Sequence, residues 1–368
     1  MKKVWNLHPG PSILPHEVLV RAQAEMLEFG GYGMSPMEVS HRTKSFDDII
    51  YGSEALLREL LGIPDNYKVL YMPGGGTAQF SCIPMNLMRN KKADYIDTGI
   101  WPELAYNEAV RYLDAKYIAS SADGGYNYIP KVTPDMVRPD ADYVYICGNN
   151  TDHGTVFNET NFPDVGDKPL VTDMTSIIGS QEIDVAKYGL IFAGAQKNLG
   201  CTGLTIVIIR DDLIQEAEKF VPMMYRYKQF VDNQSMYNTP PTYSVYIHYL
   251  LLQWFKEKGG LSKMIEDTKK KSGMIYDFVD HSELWNCPVQ REDRSPTNVC
   301  YNGKTPELEE LFLEEAKKEG FEGIKGFGRY KRADQRSVGI RMSFYNAFPM
   351  EGAEAFLDFM KRFEEKYS

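Results

Sequence analysis

Short apolar runs alternate with longer amphipathic ones, and this rhythm constrains the chain more than any other feature. The runs at 68–72, 95–96, 116–119, 143–147, 170–173, 190–193 and 204–209 read as strands, with helical stretches between several of them. That pattern predicts an α/β fold whose mostly parallel sheet is covered on both faces. One helix is read over 46–61, where Ile49, Ile50, Leu56, Leu57, Leu60 and Leu61 fall mostly on one face and Gly62 and Pro64 end it. After the first strand, Gly74-Gly75-Gly76 reads as a turn and 77–88 as a helix. Past Lys258-Gly259-Gly260 the rhythm changes. A long polar helix (261–280), a strand near 299–301, a charged helix (305–319), a strand near 338–344 and a final helix at 351–366 follow. The expected organisation is an N-terminal arm (1–15), a large domain (16–259) and a smaller C-terminal α+β domain (260–368).

Charge narrows the range of partners. Forty-one Lys and Arg face 51 Asp and Glu, a net charge of -10. General nucleic-acid binding, which leaves a basic footprint, is not expected. An anionic substrate must then be held by a local cluster of cations, because the global field repels it. The absence of an apolar run of ~18 residues predicts no membrane-spanning helix, and the first ten residues lack a secretion signal's apolar stretch. Five scattered cysteines, with no C-x-x-C pair and an odd total, argue against a disulfide framework and a structural zinc site. A soluble protein of the reducing cytoplasm, with no metal, is the expectation.

Three features carry chemistry. Three glycines ahead of a helix, in KVLYMPGGGTAQF, expose backbone N–H groups at its positive end and suit a phosphate, although such a turn also serves merely to reverse the chain. Asp173 ends an apolar strand, where open α/β sheets place ligand-binding residues; it also suits a cap. Lys197, in LIFAGAQKNLGCTG, follows another strand between tight glycine flanks that leave little surface for its stem to lie along. A lysine held in an apolar pocket can attack carbonyls as the free amine. A phosphate cradle, a carboxylate and a reactive lysine are the three anchors that pyridoxal phosphate needs. On this reading Asp173 keeps the pyridine ring cationic, and Lys197 later moves a proton as general base and acid.

The chain resembles the phosphoserine aminotransferases, which are class V aminotransferases on the type I pyridoxal-phosphate fold. The resemblance rests on GPSILP (10–15), MEVSHR (37–42), YKVLYMPGGGTAQF (67–80), DTGIW (97–101), IDVAKYGLIFAGAQKNLGCTGLTIVI (183–208), SMYNTPPT (235–242) and YNAFP (345–349), in family order over nearly the whole length. It implies a large domain with a mostly parallel sheet and a smaller C-terminal domain that carries substrate arginines. Lys197 would bind the cofactor aldehyde, Asp173 its pyridine nitrogen, and Trp101 would stack on its ring. Gly76, Thr77 and Gln196 would hold its phosphate, with Thr151 beside it. Asn238 and Thr239 would reach that phosphate from the second subunit of a homodimer.

For substrate, the resemblance implies Arg42, next to His41, for the carboxylate, and Arg336 and Arg341 for the substrate's phosphate. The implied reaction passes an amino group between L-glutamate and 3-phosphohydroxypyruvate, giving O-phospho-L-serine and 2-oxoglutarate in serine biosynthesis. The segment 325–341 holds six basic residues against Asp334 and departs from the family pattern. Several residues follow Lys325-Gly326, and Gln335-Arg336 replaces a His-Arg pair. The alternative is therefore a class V aminotransferase for another substrate, of the serine or alanine type.

Overall fold

The computed structural model describes residues 4–326 and 339–368. Its elements in chain order are β1 (Trp5–Asn6), α1 (His16–Ala24), α2 (Lys44–Leu61), β2 (Tyr67–Met72), α3 (Gly75–Leu87), β3 (Lys92–Asp97), α4 (Ile100–Ala109) and β4 (Asp114–Ser120). Next come β5 (Val144–Cys147), the short hairpin β6 (Asn149–Asn150) and β7 (Thr155–Val156), β8 (Leu170–Asp173), β9 (Leu190–Gly194), β10 (Thr205–Arg210), α5 (Tyr227–Asp232) and α6 (Thr242–Glu257). The chain closes with α7 (Gly260–His281), β11 (Trp285–Asn286), β12 (Asn298–Gly303), α8 (Pro306–Glu319), β13 (Phe321–Glu322), β14 (Ile340–Ser343) and α9 (Met350–Tyr367).

Seven strands form the main sheet in the order β2-β10-β9-β8-β5-β3-β4. The neighbours β9-β8-β5-β3-β4 run parallel, as the apolar runs predicted, whereas β10 is antiparallel to both β9 and β2. The reason is the short link from β9 to β10, since a parallel return takes a crossover of about a dozen residues or more. Successive strand residues alternate between two cores. Ile206 and Ile208 face the layer of α2 and α6, and Val207 and Ile209 face the layer that includes Phe80 and Ala105. Burial on both faces makes these strands read as unbroken apolar runs.

Helix α2 buries Phe46, Ile49, Ile50, Leu57 and Leu61 along one stripe and ends at Gly62, which takes a left-handed φ of 62°. Helix α3 begins two residues earlier than its sequence suggested, because Gly75 and Gly76 join its first turn. Gly74 is the residue before it, at φ 101°, where an added Cβ would meet Ala78 Cβ at 2.8 Å.

A third core gathers Leu7, Trp285, Phe312, Phe321, Phe356, Phe359 and Phe363 between α7, α8, α9 and the antiparallel sheet β11-β12-β14. Trp285 meets Phe312 at 4.6 Å and 62°, an edge-on contact. The N-terminal arm joins this region through parallel pairing of β1 with β13.

Candidate active site

The carboxyl ends of β5, β8 and β9 open into one cavity of about 450 Å³. Gly76, Thr77, Trp101, Thr151, Asp173, Gln196, Lys197 and Arg341, all singled out from sequence, line it together. Gly76 and Thr77 present the N-terminal turn of α3, whose first N–H groups have no carbonyl within the helix to bond. Trp101 comes from the first turn of α4.

Asp173, the last residue of β8, is 7% exposed. Its carboxylate accepts the Thr175 backbone N–H at 2.9 Å. Burial pushes its pKa up, while hydrogen bonds from Thr175 and the charge of Lys197 pull the other way. Thr175 is itself fixed, since its hydroxyl accepts the Gly194 N–H at 3.1 Å.

Lys197 lies three residues beyond β9 and is half-buried. Its Nζ donates to Thr151 Oγ1 at 2.8 Å and stands 5.8 Å from the Trp101 ring centroid. Backbone bonds brace the turn that carries it. Ala195 N–H donates to Leu204 O at 2.9 Å, and Leu199 N–H to Ala195 O at 3.1 Å. The N-terminal arm covers it from outside. Ser12 N–H donates to Gln196 O at 2.9 Å and Ser12 Oγ to Lys197 O at 2.6 Å. Gly10, at φ 143°, lies so close that a Cβ there would sit 3.2 Å from both Cγ and Cε of Lys197.

The hairpin β6–β7 supplies Thr151 and a residue that sequence reasoning missed, Asp152. Asp152 Oδ2 accepts the Trp101 indole N–H at 3.0 Å, and Oδ1 accepts Arg341 Nη1. The hairpin is pinned by Asn149, whose amide donates to Ser176 Oγ (2.7 Å) and Asn298 Oδ1 (2.8 Å). A signal was available: Asn149 to Gly154 is a wholly polar run after the apolar strand, and it is buried. Pro9, Gly10, Asn149, Thr175 and Ser176 also border the cavity. Its charged lining is Asp152 and Asp173 against Lys197 and Arg341, a balanced set inside an acidic chain.

The remaining sequence candidates stand elsewhere. Arg42 is exposed and His41 half-buried, and neither borders the cavity of the single chain. Asn238 and Thr239 also lie off it, with Asn238 Nδ2 donating to Thr239 O at 3.0 Å. Arg336 lies outside the described residues.

Residues 4–356 match the profile of the aminotransferase class-V family. The chain is 44% identical over 378 residues to phosphoserine aminotransferase of Nitrosomonas europaea, with all of both chains covered. Its fold is similar to that of phosphoserine aminotransferase from Bacillus circulans subsp. alkalophilus (TM-score 0.93, 39% identity, 100% and 99% of the chains covered). It is also similar to the pyridoxal-phosphate-bound phosphoserine aminotransferase of Trichomonas vaginalis (TM-score 0.89, 33% identity, 98% and 100% covered).

Proposed function

This chain belongs to the phosphoserine aminotransferases of aminotransferase class V, and from that premise we propose that it passes an amino group between L-glutamate and 3-phosphohydroxypyruvate. The products are O-phospho-L-serine and 2-oxoglutarate. The observation that carries the reading is Asp173 and Lys197 on one cavity beside Trp101, with the first turn of α3 at its wall. This donor set fits pyridoxal phosphate: a buried carboxylate for a ring cation, an amine for an aldehyde, a flat indole for the ring and free helix N–H groups for a phosphate. When bound, the cofactor supplies an aldehyde that takes up amino groups and a ring that draws electrons from the substrate's α-carbon.

The protein's own groups do the rest. Lys197 would hold the aldehyde and, as a free amine, would carry a proton to and from the substrate's α-carbon at Nζ. Thr151 Oγ1, 2.8 Å from that Nζ, aims it. Asp173 keeps a negative charge where burial makes it most effective, and Thr175 holds the carboxylate in line. Gly76, Thr77 and Gln196 serve the cofactor phosphate. We move the substrate carboxylate from Arg42, which does not border the cavity, to Arg341, which does and whose guanidinium can offer a carboxylate two parallel hydrogen bonds. His41, Arg42 and Arg336 complete the substrate site on this reading.

We assign the active unit to a homodimer. The segments 27–51 and 220–237 expose Leu27, Tyr32, Met34, Met37, Phe220, Met223, Tyr225 and Tyr237. Tyr51 joins them through a hydrogen bond to Gln234 at 2.7 Å. A second copy over this face would bring its Asn238 and Thr239 to the phosphate. We divide the chain into an arm at 1–15 and domains at 16–259 and 260–368, a division supported by the third core, most of whose residues come from the C-terminal part. On this reading the smaller domain closes over the cavity. The five cysteines are free thiols, and no helix among the described residues is long and apolar enough to cross a membrane; we place the enzyme in the cytoplasm.

The test is titration of the purified enzyme with O-phospho-L-serine, L-serine and L-alanine, following the cofactor's visible absorption. Phosphoserine alone should change the band at micromolar to millimolar concentrations. An equal response to serine or alanine would sink the phosphorylated substrate and leave the Lys197 chemistry standing.

A further inference from the structure

Arg341 and Asp152 are 189 residues apart in sequence, yet they seal one another inside the cavity wall. Their side chains are 8% and 6% exposed. The guanidinium is anchored from behind, because β14 pairs with β12 and the Arg341 N–H donates to Ile324 O at 2.8 Å. Asp152 is anchored by the Trp101 indole at 3.0 Å. Among the described residues only part of the guanidinium is used: Nη1 serves Asp152, while the buried Nε meets no partner. A guanidinium has five donors, so this one keeps unused capacity toward a cavity that must receive a carboxylate. Its charge, however, is already neutralised.

We infer that Asp152 is an internal counter-ion of Arg341 that a substrate carboxylate must displace. This inference rests on the reading that Arg341 receives that carboxylate. Two carboxylates on one buried guanidinium would set like charges a few ångströms apart with little water to screen them. Asp152 Oδ1 therefore yields Nη1, while Oδ2 stays on the indole. The device discriminates between ligands. A simple anion that touches nothing else cannot compensate for the lost pair, whereas an amino acid that also engages the rest of the site can. Asp152 thus acts as a specificity-determining residue, and by holding Trp101 it links the ring platform to the carboxylate site.

The experiment uses the holoenzyme and glutarate, which has the carbon skeleton of glutamate and no amine with which to react. Isothermal titration calorimetry compares the wild type with Asp152→Asn, Asp152→Ser and Arg341→Gln. Removal of the competing charge should tighten glutarate about tenfold in both Asp152 variants and lower the KM for L-glutamate in the same direction. Arg341→Gln should lose glutarate binding. Unchanged or weaker glutarate binding in the Asp152 variants, with Arg341→Gln still deficient, overturns the counter-ion role and leaves the carboxylate site intact. Wild-type affinity in Arg341→Gln overturns both.

Discussion

Replacing Lys271 with Met isolates one proton in the stability of the whole chain. Lys271 is 1% exposed on α7, and its ammonium donates to the carbonyls of Tyr345 (3.0 Å) and Phe348 (2.8 Å). Burial pushes its pKa down from an ordinary 10.5 to about 7, with partial relief from Asp267 one turn earlier. His16, Glu17, Lys258, Lys263 and Glu351 ring the adjoining cavity and complete its charged surroundings. Above pH ~7 the native lysine has released its proton, while the unfolded chain keeps one until pH ~10.5, so the unfolded state binds more protons across that window. Stability therefore rises with pH there, by at most ~1.4 kcal/mol per pH unit and ~5 kcal/mol in all, and the full penalty applies below pH ~7. Lys271→Met does not titrate. In urea unfolding from pH 6.5 to 9.5, wild type should gain on the variant by roughly 3 kcal/mol. A difference that is flat or shrinks with rising pH would refute the reasoning. The region matters to the site, because Asn346 between the two carbonyls donates its N–H to Asn198 Oδ1 at 3.0 Å, next to Lys197.

Asp173→Asn keeps the shape of the side chain and removes its charge, so transamination should fall by about 10²-fold or more; steady-state rates near those of wild type would count against its role. Gly10→Ala places a methyl 3.2 Å from Cγ and Cε of Lys197 at a φ of 143°, so turnover should fall with a stability loss of ~1–3 kcal/mol, and an unimpaired kcat would show that the arm yields freely. Arg294 grips Asp280 with two bonds of 2.8 Å and lies over Tyr276 at 4.9 Å. Arg294→Met leaves that carboxylate only the exposed Arg291, at 3.0 Å, and chemical denaturation should show a loss of ~1–2 kcal/mol.

Asp173 and Lys197 were legible in the sequence because each follows an apolar run that is long enough to be a buried strand, and the end of such a strand is where an α/β sheet exposes chemistry. The direction of β10 was less legible, since an apolar run reads the same both ways and only its short link to β9 sets the antiparallel course. Asp152 escaped notice because its meaning lies in partners from α4 and β14, far away in sequence. The pairing of β1 with β13 escaped for a related reason: two residues carry no periodicity, and their partners lie more than 300 positions away. The roles proposed for His41, Arg42, Asn238 and Thr239 came from family likeness alone, because nothing in the composition of a half-buried or exposed loop distinguishes a substrate contact from a solvated side chain.

The N-terminal arm is a leash of fixed length. At one end Leu7 N–H holds Glu322 O at 2.9 Å, beside the third core; at the other Ser12 N–H holds Gln196 O, also at 2.9 Å, beside the reactive lysine. Five residues of fully extended chain reach roughly 18 Å. While both knots hold, the two hydrogen bonds add to that span, and Glu322 O and Gln196 O cannot separate beyond roughly 24 Å. Slack in the arm therefore sets an upper bound on any widening that the proposed closure of the smaller domain involves.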